Sequence, residues 1–331
     1  MKSLIRFKSV CKSWFSLISD PHFANSHFQL TAATHTPRVM CISPLYHEIL
    51  SIEFEAFLND DPASLNLNFS LPKSYFPDEI RGSCRGFILL YRPLNMYLWN
   101  PSTGFKKQIP VSPFDSKSVE HCHGLGYDQS RDDYLVVVFS YVSSHLEVFS
   151  FRDNTWKEVD GPHFPYVVVP SQRKGFLFNG AIHWLAYRRD LELDVIVAFD
   201  LMEKKMVEMP VPSDFDHGFF YSLWVYGEFL SLWAKCYDND TIVIWVMKEY
   251  KMHSPWTKTL VLPLNGIPNH YFHPIHNTKN GDIIGRNHGT RLVKFNDKGQ
   301  LFGYRTFCSS QSEVVMYTES LLSLLGDNEH A

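Results

Sequence analysis

The chain has 331 residues, of which 45% are hydrophobic and 15% aromatic, and a formal net charge of −4 at pH 7. This weak acidity gives no reason to expect nucleic-acid or membrane binding, and no apolar run approaches the ~18 residues of a membrane span. The six cysteines are scattered without a C-x-x-C pair, which favours free thiols in a reducing compartment. We therefore expect a cytoplasmic or nuclear protein.

The first 30 residues differ from the remainder of the chain. Apolar residues recur there at three- and four-residue spacing, which predicts one face of a single helix that ends at Asp20-Pro21. The face comprises Leu4, Phe7, Val10, Cys11, Trp14 and Ile18. Since Asp20 is the first acidic residue, a mitochondrial presequence is the alternative.

Strands are expected next. Arg38–Ser43 and Glu48–Phe54 are predicted to pair, and 59–77 is predicted to be an exposed loop because it is rich in Asn, Asp, Pro and Ser. Leu65, Leu67, Phe69 and Leu71 alternate within that loop, which allows one edge strand. If the sheets close into a ring, strands from this region should pair with 313–318, because closure removes exposed sheet edges.

A strand–turn–strand pattern then recurs along the chain. The repeats begin at Met96, Val148, Val197, Val243 and Leu292, in steps of 52, 49, 46 and 49 residues. The fourth repeat is the clearest, because apolar β-branched and aromatic residues alternate within it. A period of about 50 residues built of strands is typical of propeller blades.

A weaker repeat precedes each of four such units. Two-residue turn signals stand beside apolar runs at Arg85-Gly86, Asn179-Gly180, Tyr226-Gly227 and Asn280-Gly281. Such pairs predict hairpins, because glycine readily adopts the positive φ that tight turns need. Each period then holds about four strands. The predicted fold class is all-β: a propeller-like domain of about six four-stranded blades, with seven as the alternative, after a short α-helical segment.

The sequence gives little sign of catalysis. His121-Cys122-His123 could place two histidines on one face of a strand near Asp128, but no further ligands follow at a metal-site spacing. The histidines at 270, 273 and 276 predict a solvated loop, and the acidic pairs at 132–133, 192–194 and 238–240 fit hairpin turns. We expect no catalytic residue, metal or cofactor, with a propeller glycosidase or lectin as the alternative.

Most of the tryptophans in the repeats recur at equivalent repeat positions, which favours packing between blades over ligand binding. Because loops on rigid scaffolds commonly carry function, we predict a protein-binding site in four loop regions of the later repeats. The residues are Tyr187, Arg188, Arg189, His217, Phe219, Phe220, Tyr221, Tyr237, Asp238, His270, Tyr271 and His273.

Several segments carry a family resemblance. Residues 2–23 resemble the C-terminal half of a plant F-box, and the later repeats resemble the F-box associated interaction domain, which is kelch-like. The matching motifs are G-S-C-R-G at 82–86, L-W-N-P-S-T-G at 98–104, G-L-G-Y-D at 124–128, N-G-A-I-H-W-L at 179–185, A-F-D-L at 198–201, W-V-M-K-E-Y at 245–250 and Y-T-E-S-L-L-S-L at 317–324.

The resemblance implies a substrate receptor of a Skp–cullin–F-box ubiquitin ligase. Such a receptor binds the Skp adaptor, and through it the cullin, while its second domain holds an unidentified target protein and itself does no chemistry. It implies a partial F-box at 1–30, an interaction domain at 31–326 and a disordered tail at 327–331.

The adaptor-binding positions implied by the resemblance are Leu4, Ile5, Val10, Cys11 and Trp14. The leading segment of a complete F-box is not among the residues that match. A scaffold or decoy that binds a target without recruiting the ligase is therefore the main alternative.

Overall fold

The computed structural model describes residues 2–31, 37–43, 48–53, 64–66, 79–92, 95–113, 121–140, 145–159, 166–169, 172–215, 220–250, 256–287, 291–306 and 313–324. They form three α-helices, a 3₁₀ turn at Pro268–His270 and six antiparallel sheets. No helix of these ranges is long and apolar enough to cross a membrane. The five cysteines in the same ranges form no disulfide bond.

The helices are α1 (Lys2–Phe7), α2 (Lys12–Ser19) and α3 (Pro21–Thr31). The prediction of a single helix ending at Asp20 is wrong. The amides of Ser9 and Val10 bond three residues back and end α1, while Cys11 is extended with φ −161°. Asp20 ends α2 and also begins α3, because its carboxylate accepts the Phe23 amide at 2.8 Å. Asp-Pro is thus an N-cap followed by proline at the first helical position.

Helices α1–α3 and sheets 1 to 3 belong to one compact unit, which we call unit 1. Sheet 1 joins β1 (Arg38–Ser43), β2 (Glu48–Glu53) and β3 (Ser64–Asn66) to β25 (Glu313–Tyr317). Sheet 2 contains β4 (Glu79–Cys84), β5 (Phe87–Arg92), β6 (Asn95–Trp99) and β7 (Lys106–Ile109). Sheet 3 contains β8 (His121–Asp128), β9 (Asp133–Ser140), β10 (His145–Ser150) and β11 (Thr155–Glu158).

Sheets 4 to 6 belong to the second compact unit, unit 2. Sheet 4 contains β12 (Tyr166–Val167), β13 (Phe176–Phe178), β14 (Ala181–Arg188), β15 (Leu193–Asp200) and β16 (Lys205–Pro210). Sheet 5 contains β17 (Tyr221–Tyr226), β18 (Phe229–Cys236), β19 (Thr241–Met247) and β20 (Trp256–Pro263). Sheet 6 contains β21 (His273–Asn277), β22 (Ile283–Asn287), β23 (Arg291–Phe295) and β24 (Leu301–Thr306).

The repeat predicted from the sequence is confirmed. All five repeat starts fall in the third strand of successive sheets, namely β6, β10, β15, β19 and β23. The predicted turn signals at 85–86, 179–180, 226–227 and 280–281 all lie between a first and a second strand. In the described part of the chain the number of sheets is six rather than seven.

The predicted pairing of the two ends of the domain is also confirmed. Strand β25 pairs with β1, with Arg38 opposite Tyr317, and β1 pairs with β2. Strand β3 lies in the region predicted to be a loop with one edge strand. The rest of 59–77 and the tail at 327–331 lie outside the described residues.

Sheet 4 departs from the four-strand pattern, because two short strands share the position of its first strand. Strand β12 pairs with the end of β14, and β13 pairs with its beginning. Between them the backbone at Gly175 packs onto β14 so closely that a Cβ there would lie 2.5 Å from Ile182 and 2.8 Å from Trp184. This close approach of backbone to side chain is possible only for glycine.

The tryptophans pack as predicted. Trp99, Trp184, Trp224, Trp233 and Trp245 are buried. Trp156 and Trp256 are half-buried at equivalent positions in sheets 3 and 5, and each indole donates a 2.8 Å hydrogen bond to a proline carbonyl at the end of the preceding sheet, Pro110 or Pro210. Burial of the apolar ring with its N–H satisfied explains why the residue recurs at these positions.

Candidate interaction surfaces

Helices α1 and α2 and the turn between them expose large apolar side chains. The exposed fraction is 64% for Val10, 51% for Leu17 and 42% for Trp14, and the Phe7 and Trp14 ring centroids lie 5.2 Å apart. We call Phe7, Val10, Trp14, Phe15 and Leu17 the N-terminal apolar surface. Clustered exposed apolar residues are typical of sites that bind another protein.

The residues implied as adaptor contacts therefore fall into two groups. Val10, Cys11 and Trp14 are exposed, whereas Leu4 and Ile5 are half-buried. Ile18, predicted on the same face, is buried in the protein.

Arg85 joins helix α3 to sheets 2 and 3. It occupies the β4–β5 turn with φ 49°, and its guanidinium donates to the Asn25 side chain at 2.8 Å and to the Tyr134 hydroxyl at 3.4 Å. The same guanidinium lies 5.0 Å from the centre of the Phe28 ring and 4.0 Å from that of Tyr127. Two hydrogen bonds and two cation–π contacts on one side chain hold α3 against the sheets.

A cleft of about 170 Å³ lies beside Arg85, between α3, the turns of sheet 3 and the C-terminal segment. Asp133 lines this cleft and is hydrogen-bonded within the protein. Its carboxylate accepts from the Ser150 hydroxyl at 2.5 Å and from the Arg152 amide at 2.9 Å. Burial, together with nearby charges, raises the pKa of Tyr134. Asp133 and Arg85, which line the cleft, therefore make contacts that stabilise the fold.

The C-terminal segment is held by Asn100, in the motif L-W-N-P-S-T-G. The Asn100 side chain is fully buried and donates to the carbonyl oxygens of Ser320 at 3.1 Å and Leu322 at 3.0 Å. Its oxygen accepts from the Ser102 amide at 2.9 Å, so one side chain orders both its own turn and the tail. The motif therefore has a structural explanation.

The predicted target-binding loops of unit 2 lie at one end of its sheets, where second strands end and third strands begin. The loops are 189–192 and 237–240, between second and third strands, and 264–272 together with the described residues 211–215 and 220, between sheets. Contacts join them: the Phe220 and Tyr271 rings meet edge to face at 5.3 Å, and Lys235 donates to the His270 carbonyl at 2.6 Å. We call this the loop surface of unit 2.

The loop surface carries an ion-pair cluster that the prediction missed. Asp240 bonds the His270 ring and lies 3.4 Å from the Lys235 ammonium. Burial alone would raise the pKa of Asp240, but the hydrogen bond and charge of His270 and the charge of Lys235 outweigh it and lower that pKa. No periodicity in the sequence relates residues 235, 240 and 270, so this cluster can be recognised only from the positions of the three residues in the folded structure.

Two of the predicted target-binding residues, Arg188 and Tyr221, contact neighbouring residues of the loop surface. The Arg188 guanidinium pairs with Asp190 at 2.9 Å and with Glu208 at 2.8 Å, and Tyr221 packs against Phe215 at 5.5 Å. Hydrogen bonds to Asp190 and Glu208 raise the pKa of Arg188 still further. These two residues order the loops.

The remaining predicted residues differ in accessibility. Tyr187, Arg189, Phe220, Tyr237 and Asp238 are exposed. The Tyr237 ring lies 5.0 Å from the Lys235 ammonium. His217 and Phe219 lie outside the described residues.

The prediction of a loop through His270, His273 and His276 is wrong, because 273–277 is strand β21. His273 packs edge to face on Trp233 at 4.9 Å, and burial lowers its pKa well below the ordinary value. Apolar packing against sheet 5 outweighed the loop signal given by the flanking prolines.

His121 and His123 share a face of β8, as the alternation predicts, with ring centroids 6.3 Å apart. Both are buried, and His123 stacks on Tyr91 at 4.5 Å. Across the described ranges, no three His, Cys, Asp or Glu side chains are grouped so that they could hold a metal ion.

Most of this chain is similar to known proteins. The family model described as F-box associated beta propeller domain matches residues 41–317. An F-box/kelch-repeat protein of Arabidopsis thaliana is 28% identical over 281 residues, covering 80% of this chain and 76% of that protein. The F-box protein CPR1 of the same plant is 25% identical over 363 residues, covering 98% of this chain and 86% of that protein.

A solved structure of low sequence identity is similar to this chain in fold alone. The crystal structure of TolB from Acinetobacter baumannii matches with a TM-score of 0.50 at 10% identity, covering 89% of this chain and 71% of that chain.

Proposed function

Because this chain belongs to the F-box associated beta propeller domain family, whose blades are the six sheets described above, we propose that it is the substrate-recognition subunit of a Skp–cullin–F-box ubiquitin ligase. In this role the protein catalyses no reaction. It binds the Skp adaptor, and through it the cullin, at its N-terminal helices, and it binds a target protein through propeller loops. Such a receptor works in the cytoplasm or the nucleus.

The N-terminal apolar surface carries this proposal. Solvent exposure of Val10 at 64% and Trp14 at 42% costs free energy in the isolated chain, since each buried apolar side chain of this size contributes about 1.5–3 kcal/mol. A partner that covers these side chains recovers that free energy. The Arabidopsis relatives are named as F-box proteins, which supports a Skp adaptor as that partner.

Anchoring supports the same role. Arg85 fastens α3 to sheets 2 and 3 through Asn25 and Phe28. A target is ubiquitinated efficiently only when it is held at a defined position near the conjugating enzyme, which raises its effective concentration. A helix fastened to the propeller suits that requirement better than a flexible linker.

The test is binding of purified protein to a plant Skp adaptor, measured by calorimetry. We expect measurable affinity, weakened at least about tenfold by Trp14→Ala, as for a central interface aromatic. The control is Val111→Ala, an exposed apolar residue of unit 1 away from the helices, which should leave affinity unchanged. Absence of binding by the wild type would overturn the ligase role and favour the scaffold alternative.

A further inference from the structure

The two hairpin turns of the loop surface of unit 2, at 189–192 and 237–240, are acidic. With the strand ends that adjoin them, residues 188–194 and 235–240 hold five acidic and three basic residues. The acidic residues are Asp190, Glu192, Asp194, Asp238 and Asp240, and the basic ones are Arg188, Arg189 and Lys235.

Internal pairing leaves the acidic excess exposed. Arg188 is occupied by Asp190 and Glu208, and Lys235 by Asp240. Arg189 is then the one exposed base of these two turns that no ion pair to a described residue engages. Glu192 and Asp238 are exposed at the tips of the turns, and neither pairs with a basic residue of the described ranges. The field that a binding partner meets at these two turns is therefore negative.

Aromatic side chains lie in or beside these acidic turns. Phe220 is 43% exposed, its ring is fixed edge to face against Tyr271 at 5.3 Å, and Tyr237 is 48% exposed. A preordered aromatic pair offers apolar contact area at low cost in conformational entropy. Exposed aromatics inside a charged rim are typical of protein interfaces.

We infer that the target protein is recognised through a segment that carries lysine or arginine beside a large apolar side chain. The inference rests on the proposed role of unit 2 in holding the target. The basic side chains lie against Glu192 and Asp238, and the apolar side chain packs on Phe220 and Tyr271. Charge complementarity disfavours acidic segments and nucleic acids at the same surface.

The experiment uses the purified full chain and three pools of synthetic peptides, which match in length and apolar content but are basic, neutral or acidic. Binding is measured by fluorescence polarisation at low and high salt. We expect the basic pool to bind best and to weaken as salt is raised, because screening reduces attraction between exposed charges. Stronger binding of the neutral or acidic pool, or no binding by any pool, would overturn the inference.

A matched pair of double variants separates local from total charge. Glu192→Lys/Asp238→Lys reverses two charges of the loop surface, whereas Glu203→Lys/Glu228→Lys makes the same change in net charge in turns at the other end of sheets 4 and 5. The first should weaken binding of the basic pool by roughly tenfold, and the second should change it little. Equal effects of the two would contradict the inference.

Phe220→Ala tests the apolar contact and should also weaken binding by about tenfold. None of these measurements requires the Skp adaptor. Absence of adaptor binding would therefore overturn the ligase role, whereas absence of a preference for basic peptides would overturn this inference alone.

Discussion

His276, in the first strand of sheet 6, shows how burial overrides a residue's usual chemistry. Burial lowers its pKa to about 4 from an ordinary value of 6.5. Between these pH values the unfolded chain binds a proton that the folded protein excludes. The stability contributed by the neutral side chain is complete above pH 6.5 and is lost as the pH falls toward 4.

We therefore expect the free energy of unfolding to decrease between pH 7 and pH 5 less in His276→Gln than in the wild type. The difference should be on the order of 1 kcal/mol, measured by urea denaturation at both pH values. His22→Gln on the exposed face of α3 is the control and should retain the wild-type pH dependence. A His276→Gln protein with that same dependence would show that the histidine is not shielded.

Single residues were the hardest features to predict. Spacing alone could not distinguish a solvated histidine from one packed on Trp233, because that contact joins residues of different sheets. For the same reason Arg85, which contacts Asn25, Phe28, Tyr127 and Tyr134, gave no signal beyond its place in a turn. Turn chemistry specifies a backbone conformation, but not the partners of the side chain.

At the scale of the element, the β4–β5 turn depends on a glycine for two reasons. Gly86 has φ +88°, and a Cβ there would lie 2.2 Å from the Ser320 hydroxyl oxygen and 2.9 Å from the Thr318 carbonyl oxygen. Gly104 has φ +78° with no atom within 4 Å of such a Cβ. Both glycines have a positive φ, but only at Gly86 would a Cβ overlap other atoms. Comparing substitutions at the two positions therefore separates the cost of backbone strain from the cost of steric overlap.

Gly104→Ala should lower the free energy of unfolding by about 1 kcal/mol, the cost of positive φ for alanine. Gly86→Ala should cost at least about 2 kcal/mol more, because the methyl group also displaces the C-terminal segment. Urea denaturation gives both values, with Gly104→Ala as the matched control. Equal costs would mean that the segment at 318–320 does not pack on the turn.

Strands were predictable where the sequence alternates, and helices less so. Third strands of five sheets were located because apolar and β-branched residues recur with a constant period. The N-terminal segment was read as one helix, since the three- and four-residue spacing continues through Ser9 and Val10. The break there brings Phe7 and Trp14 together at 5.2 Å, a contact that a spacing pattern does not encode.

At the scale of the whole molecule, the sequence predicts about six sheets and the pairing of the two ends of the domain in sheet 1. Both rest on strand pattern and on the cost of an exposed edge. The set of residues that forms the loop surface could not be predicted from the sequence, since it depends on which loops of three sheets meet at one end. Its ion pair between Asp240 and His270 spans thirty positions of the chain.

In the proposed role, one chain binds an adaptor and a target at separate surfaces. Quantitative affinity purification from plant cells tests this with three tagged proteins: the wild type, Val10→Asp/Trp14→Ala and Glu192→Lys/Asp238→Lys. We expect the wild type to recover the Skp adaptor together with a set of target proteins. The first variant should lose the adaptor and keep that set, and the second should keep the adaptor and lose the set. If the wild type recovers no adaptor, or if each variant loses both partners, the proposal of separate adaptor-binding and target-binding surfaces is contradicted.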